Sequence, residues 1–95
     1  RGIEFNISPE QGETLYFKQN KKCALSGINI DFPKTFSNLS EGTASLDRIN
    51  NEKGYEIDNV QWVHKHINFM KGKLEESRFL ELCKKVVNFN KRVKK

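Results

Sequence analysis

The chain has 95 residues, which is enough for one small domain and excludes a barrel enzyme, a doubly wound sheet or two large domains. Seventeen Lys and Arg against twelve Asp and Glu give a net charge of +5, which permits a polyanionic partner without demonstrating one. Seven Phe and a hydrophobic content of 36% suffice for a folded core, and no apolar run is long enough to span a membrane. Two cysteines sixty residues apart, Cys23 and Cys83, form no disulfide framework and are typical of buried thiols in a cytosolic protein. Because the chain opens with Arg1 and carries no signal pattern, we expect a single domain over residues 1–95 excised from a longer protein.

A helix over residues 9–20 is the first predicted element. Ser8 is a good N-cap, Pro9 suits the first helical position, and Leu15, Tyr16 and Gln19 have helical spacing. Short strands and a long loop are predicted next, over 23–25, 28–30 and 33–44.

The second half of the chain predicts two strands followed by two helices. The strands cover 44–49 and 59–63, with a turn at 50–54 between them. A short helix over 64–71 ends at Gly72, and a basic helix covers 75–93 with an apolar position at every turn. This order of elements predicts an α+β domain.

Hydropathy also predicts the core. The expected core residues are Phe5, Trp62, Phe79, Leu82 and Val86. The sequence does not decide whether three further aromatic residues belong to the core, and these are Phe32, Phe36 and Phe69. An aromatic residue near the long loop is a candidate for contact with DNA.

One stretch carries a recognisable pattern of polar residues. Leu46-Asp47-Arg48-Ile49 ends the first strand, Gly54-Tyr55 follows, Asn59-Val60 opens the second strand, and Asn68 and Lys71 lie on the short helix. This pattern resembles the HNH, or ββα-metal, nuclease motif, in a subtype that reads LDRI in place of the usual Asp-His pair. The resemblance covers residues 23–72 and implies a core of an antiparallel ribbon and a short helix, flanked by an N-terminal and a C-terminal helix.

The resemblance also implies an activity and a site. It implies an endonuclease that hydrolyses phosphodiester bonds of DNA with one Mg²⁺ or Mn²⁺ ion. Asp47 and Asn68 would hold the metal, and such hard oxygen ligands suit these ions better than zinc. Asn59 would tether the loop and orient the catalytic residue. Taken singly, Asp47 would instead form a salt bridge with Arg48 or Lys53, and Asn68 would be a solvated or helix-capping amide.

Arg48 is a departure, because the family's general base at this position is a histidine. An arginine stays protonated, so it is a poor base, although it can grip a phosphate oxygen. Other groups would then activate water, and the candidates are Tyr16, Tyr55, His64, His66 and a metal-bound water. The alternative is a catalytically degenerate domain that binds nucleic acid without cutting it. Convergence of Asp47 and Asn68 within a few ångströms would favour catalysis, whereas a salt bridge from Arg48 that closes off Asp47 would favour binding alone.

Zinc-containing members of the family carry two CxxC knuckles, which map here onto Cys23 with Ser26 and onto His64 with Ile67. Only one plausible ligand survives in each pair, so we expect no structural zinc, with Cys23 and His64 as neighbours in an apolar remnant.

The basic residues beside and after the motif predict the contact with nucleic acid. They are Arg48, Lys71, Lys73, Lys84, Lys85, Lys91 and Arg92. Basic residues like these often do no more than form the solvated face of a helix. Beside a nuclease motif, however, they favour DNA, or RNA, as the partner. No membrane partner is expected. Any sequence specificity would come from the long loop or from a missing neighbouring domain. The location that the resemblance implies is the cytoplasm of a bacterial or phage-infected cell.

Overall fold

The computed structural model describes residues 5–32 and 42–93, and the side chains of Phe5, Arg92 and Val93 are not among the described atoms. Most of the predicted loop over 33–44, with Phe36, therefore lies outside the described residues, as do the side-chain predictions for Phe5 and Arg92. The described part has an α+β architecture of three helices and two small sheets. The elements are β1 (Phe5–Asn6), α1 (Pro9–Lys18), β2 (Ala44–Arg48), β3 (Tyr55–Glu56), a 3₁₀ turn (Ile57–Asn59), β4 (Val60–His64), α2 (Lys65–Lys71) and α3 (Glu76–Val93).

The helix α1 begins as its sequence predicts. Ser8 caps it by accepting a hydrogen bond from the Gln11 backbone, while the Gln11 side chain accepts from the Ser8 backbone. Gly12 and Tyr16 are the buried residues of this helix. The Gly12 carbonyl accepts a hydrogen bond of 2.9 Å from the indole of Trp62, which fastens α1 to β4.

The two short strands predicted at 23–25 and 28–30 are wrong. Within the described segment 21–32 a single antiparallel bridge forms, between Lys22 and Asn29, and the intervening residues make a tight turn. Gly27 has a φ of 77°, which a glycine adopts without strain, and its N–H donates to the Cys23 carbonyl. The Ala24 N–H donates to the Trp62 carbonyl instead of continuing the hairpin, so the turn is anchored to β4.

An antiparallel ribbon of β2 and β4 forms the centre of the domain. Its register pairs Ala44 with His64 and Asp47 with Gln61. The helix α2 follows β4 directly and packs on the ribbon. A second pairing, which the sequence did not predict, joins β1 to β3 in parallel.

The main core lies between α1, the turn and β4. Tyr16, Cys23, Ile30 and Val63 are buried, and Phe32 and Trp62 pack against them. Phe32 is thereby assigned, since its ring stacks on Tyr16 with 4.2 Å between centroids. The predicted core positions of Trp62 and Phe79 are confirmed.

The helix α3 is only partly packed. Phe79 is buried and Leu82 is half-buried, but Val86 is 62% exposed, so its predicted core position is wrong. The helical period is correct, yet the later turns of α3 are exposed among the described residues, with Val87 52% and Phe89 65% exposed. Of the two cysteines, Cys23 is buried and Cys83 is half-buried, and both are free thiols. Within the described ranges, no helix has the length and apolar character needed to cross a membrane.

Candidate functional site

A buried ion pair lies where the ribbon meets α2. Lys71 donates from Nζ to Oδ1 of Asp47 over 2.9 Å, and the side chains of Lys71 and Asp47 are 0% and 4% exposed. Nζ also lies 3.3 Å from the Arg48 carbonyl oxygen. The ammonium comes from the last turn of α2 and the carboxylate from β2, so the pair joins the helix to the strand.

The other carboxylate oxygen of Asp47 is also engaged. Because the ribbon register sets Gln61 opposite Asp47, the amide Nε2 of Gln61 donates to Oδ2 over 2.9 Å. The same nitrogen donates to Oε1 of Glu76 over 3.1 Å, at the start of α3. Gln61 therefore links the ion pair to the C-terminal helix, a role that the sequence pattern did not single out.

Asn68 holds α2 to β2 one turn before Lys71. Its Nδ2 donates to the Ser45 hydroxyl over 2.7 Å and lies 3.4 Å from the Leu46 carbonyl. Asn68 is half-buried, so it is not the solvated amide that was one of the alternatives for this residue. The amide nitrogen thus bonds to β2 just before Asp47.

Arg48 closes the loop after β2. Its Nη1 donates to the carbonyls of Asn51 and Lys53, each over 3.0 Å, and the guanidinium carbon lies 5.3 Å from the centre of the Tyr55 ring. The alternative in which Arg48 pairs with Asp47 is not formed, because Lys71 takes that position. A phosphate at Arg48 would have to share the guanidinium with these carbonyls.

The loop tether implied for Asn59 is present. Asn59 is buried, and its Nδ2 donates to the carbonyls of Asn50 and Gly54 at 3.1 and 2.9 Å. Its Oδ1 accepts from the Asn50 N–H at 2.9 Å. Asn51, which the sequence reasoning did not identify, extends this scaffold by donating from Nδ2 to the Lys73 carbonyl over 2.8 Å. A catalytic role for Asn59 stays a prediction.

His64 ends β4 and caps α2. Its Nδ1 accepts a hydrogen bond of 3.1 Å from the His66 N–H, so this nitrogen caps the N-terminus of α2. The predicted proximity of Cys23 and His64 is confirmed, but the contact runs through the His64 backbone N–H and not through the ring.

The sulfur of Cys23 sits among hydrogen-bond donors. Burial raises the pKa of this thiol, but hydrogen bonds from the Ser26 hydroxyl and from the backbone N–H groups of His64, Leu25 and Ser26 outweigh it, so the pKa is lowered. Among the described residues, no group of three or more His, Cys, Asp or Glu side chains lies close enough together to hold a metal ion.

The ribbon and helix do not fit the divalent cation that the motif resemblance implies. Both oxygens of Asp47 accept hydrogen bonds, and one of them faces an ammonium at 2.9 Å. A Mg²⁺ or Mn²⁺ ion bound to Oδ1 would be placed against that positive charge inside a buried region, where like charges repel strongly. Metal binding at Asp47 would therefore require Lys71 to leave its position.

The predicted basic contacts divide into two groups. Lys71 presents no surface to a phosphate backbone because its ammonium is buried against Asp47, which corrects its prediction as a surface contact. The other predicted lysines are exposed, and they are Lys73, Lys84, Lys85 and Lys91.

A scan against protein-family models, a search of curated proteins and a search of solved structures found no match to this chain. The resemblance to the HNH motif accordingly rests on the residues quoted above.

Proposed function

We propose that this chain is a nucleic-acid-binding module built on an HNH-like strand–strand–helix unit, which holds a phosphate backbone without hydrolysing it. In this proposal β2, β4 and α2 are the unit. The observation that carries it is the buried Asp47–Lys71 pair, because a lysine ammonium closes off the carboxylate that the motif would use for a metal.

Charge supports the binding part of the proposal. The chain has a net charge of +5, and exposed lysines lie both just after α2, at Lys73, and on α3 from its middle onward, at Lys84, Lys85 and Lys91. Lysines of this kind neutralise phosphates and release condensed counterions, which gives affinity without sequence information.

The chemistry near Asp47 supports binding over cutting. Hydrolysis of a phosphodiester bond needs a group that activates water and a positive centre at the developing charge. Arg48 stays protonated and is hydrogen-bonded to its own loop, while Asp47 is neutralised by Lys71. These residues offer no general base in the arrangement described.

A metal-dependent endonuclease is the second candidate. It is favoured by the Asn59 tether, which holds the loop after β2 in the way the resemblance implies. In that case Asp47 and Asn68 would hold Mg²⁺ or Mn²⁺, which would supply a Lewis acid at the scissile phosphate. This candidate requires the Asp47–Lys71 pair to open when nucleic acid or metal binds.

Two assays on the same protein separate the candidates. We expect fluorescence anisotropy to show binding to a labelled oligonucleotide that weakens steeply as salt rises. Replacing Lys84 and Lys85 by Gln should reduce the magnitude of the slope of log affinity against log salt by about 1.4–1.8, whereas Lys18→Gln, a change at an exposed lysine on α1, serves as the control. With supercoiled plasmid and Mg²⁺ or Mn²⁺ we expect no nicking.

Each opposite result has a distinct meaning. Nicking that is lost with a chelator and with Asp47→Ala would overturn the binding-only proposal in favour of the endonuclease. Absence of any salt-sensitive binding, together with absence of nicking, would overturn both.

A further inference from the structure

Three large apolar side chains are exposed on the later turns of α3, and they are Val86, Val87 and Phe89. An α-helix has about 3.6 residues per turn, so Val87 and Phe89, two residues apart, lie on nearly opposite sides of α3. Val86 and Phe89, three residues apart, are neighbours on one side. The apolar surface at the Phe89 ring therefore consists of one ring with one valine beside it.

The charge around the Phe89 ring is positive. Lys85 is exposed and lies four residues before Phe89, on the same side of the helix. The fourteen residues from 82 to 95 contain six Lys and Arg but no Asp or Glu. The acidic residue that precedes them, Glu81, already pairs with Arg78 over 3.0 Å. An anionic occupant is therefore complementary to these turns of α3.

Two other occupants of this surface are less favourable. A second copy of this chain, seated on the same turns, would bring the lysines of α3 against each other, and like charges across an interface cost affinity. An anionic bilayer attracts lysines as well, but Val87 and Phe89 point to opposite sides and cannot enter one plane together. Since interfacial binding scales with the apolar area that is buried, one ring and one valine give a bilayer little to hold.

We propose that Phe89 is a stacking site for an unpaired base of a single-stranded nucleic acid, with Lys85 at the flanking phosphate. This inference rests on the proposed function and adds the place of the contact and the class of nucleic acid. Every base has a flat face that can stack on one aromatic ring, and lysines beside the ring hold the backbone. In a duplex the base faces are already covered by their neighbours, so the ring selects single strands or unpaired positions.

The test measures affinity by fluorescence anisotropy with a labelled oligothymidylate and with a duplex of the same length. Phe89→Ala should weaken binding of the single strand about 5- to 150-fold, the range expected for loss of one base stack. Because the ring is 65% exposed, its removal leaves the core of the domain intact. Lys85→Gln should reduce the magnitude of the salt slope for the single strand by about 0.7, the value for one phosphate contact.

Three further variants at the two exposed rings separate stacking from a general apolar contact. Phe89→Trp should retain the affinity, and the indole that it adds to Trp62 should be quenched when the oligonucleotide binds. Phe89→Leu should lose affinity as Phe89→Ala does, because leucine is apolar but has no flat ring. Phe69→Ala is the matched control, since Phe69 is 88% exposed on α2 and the nearby Lys71 is buried. It should leave the affinity unchanged.

The outcomes separate this inference from the proposed function. Binding of the single strand that is unchanged by Phe89→Ala, reduced equally by Phe69→Ala, or fully retained by Phe89→Leu would overturn the stacking site and leave the proposed function standing. Binding of duplex as tight as that of the single strand would do the same. A dimer in sedimentation, or binding to phosphatidylserine vesicles, that Phe89→Ala abolishes while oligonucleotide binding persists would assign the ring to another occupant and overturn the inference. If the wild-type chain binds neither nucleic acid, the proposed function itself fails.

Discussion

Removing the ammonium of Lys71 should destabilise the domain severely. Lys71→Met keeps the length of the side chain but leaves the Asp47 carboxylate buried. Of the two side chains that donate to this carboxylate, Lys71 and Gln61, only the Gln61 amide would remain. Breaking a buried ion pair by deleting one partner costs about 3–5 kcal/mol. Since small domains have a total stability of about 5–15 kcal/mol, this single change should leave a marginal fold.

The coupling between the two residues gives a sharper test than either single variant. Asp47→Asn should also be costly, because it leaves the Lys71 ammonium buried without its counter-charge. The double variant Asp47→Asn/Lys71→Met removes both charges and should lose about 2–3 kcal/mol less than the sum of the two single losses. The measurement is urea unfolding followed by the fluorescence of Trp62, which is the single tryptophan of the chain.

The control for these variants is Lys73→Met, at an exposed lysine two residues further on, which should change stability by no more than about 0.5 kcal/mol. The reasoning would be refuted if Lys71→Met unfolded within about 1 kcal/mol of the wild type, or if the losses of the two single variants simply added. Either result would mean that the Asp47–Lys71 pair is not formed in solution. Asp47 would then be free to bind a metal ion, as the endonuclease candidate requires.

Three further changes test the fold around this pair. Gly12→Ala should stabilise the domain by about 0.5–1 kcal/mol in urea unfolding, because Gly12 lies inside α1 and a Cβ there would meet Trp62 at an ordinary contact distance of 3.5 Å. Asn59→Ala should destabilise it by about 1–3 kcal/mol in the same assay, because two loop carbonyls and one N–H lose their partner, and unchanged stability would contradict the tether. Burial, together with the charge of Asp31, raises the pKa of Tyr16 above its ordinary value of 10.0. The stabilisation linked to neutral Tyr16 is therefore complete below pH 10 and falls as the pH rises through the higher folded-state pKa, and thermal melts of Tyr16→Phe should show a weaker loss in that alkaline range.

The chain order of the main elements could be read from local sequence. Ser8 and Pro9 mark the start of α1, Gly72 ends α2, and the apolar period over 79–87 marks α3, because caps and periodicity act within a few residues. The hairpin predicted at 23–30 failed for the opposite reason. Its local backbone bonds amount to a turn closed by one bridge, and the Ala24 N–H bonds to the carbonyl of Trp62, about forty residues away in sequence, a partner that no local pattern contains.

The candidate site shows the same division. The resemblance to the HNH motif singled out Asp47, Asn59, Asn68 and Lys71 as a related set, and it implied the loop tether that Asn59 forms. They could not say which cation meets Asp47. That depends on the ribbon register, which sets Gln61 opposite the carboxylate, and on the packing of α2, which buries Lys71 beside it while turning Phe69 to solvent. Spacing along a chain is a one-dimensional property, whereas the partner of a buried charge is chosen by the three-dimensional packing of distant segments, because a desolvated carboxylate must be paired by whichever donor the fold brings to it.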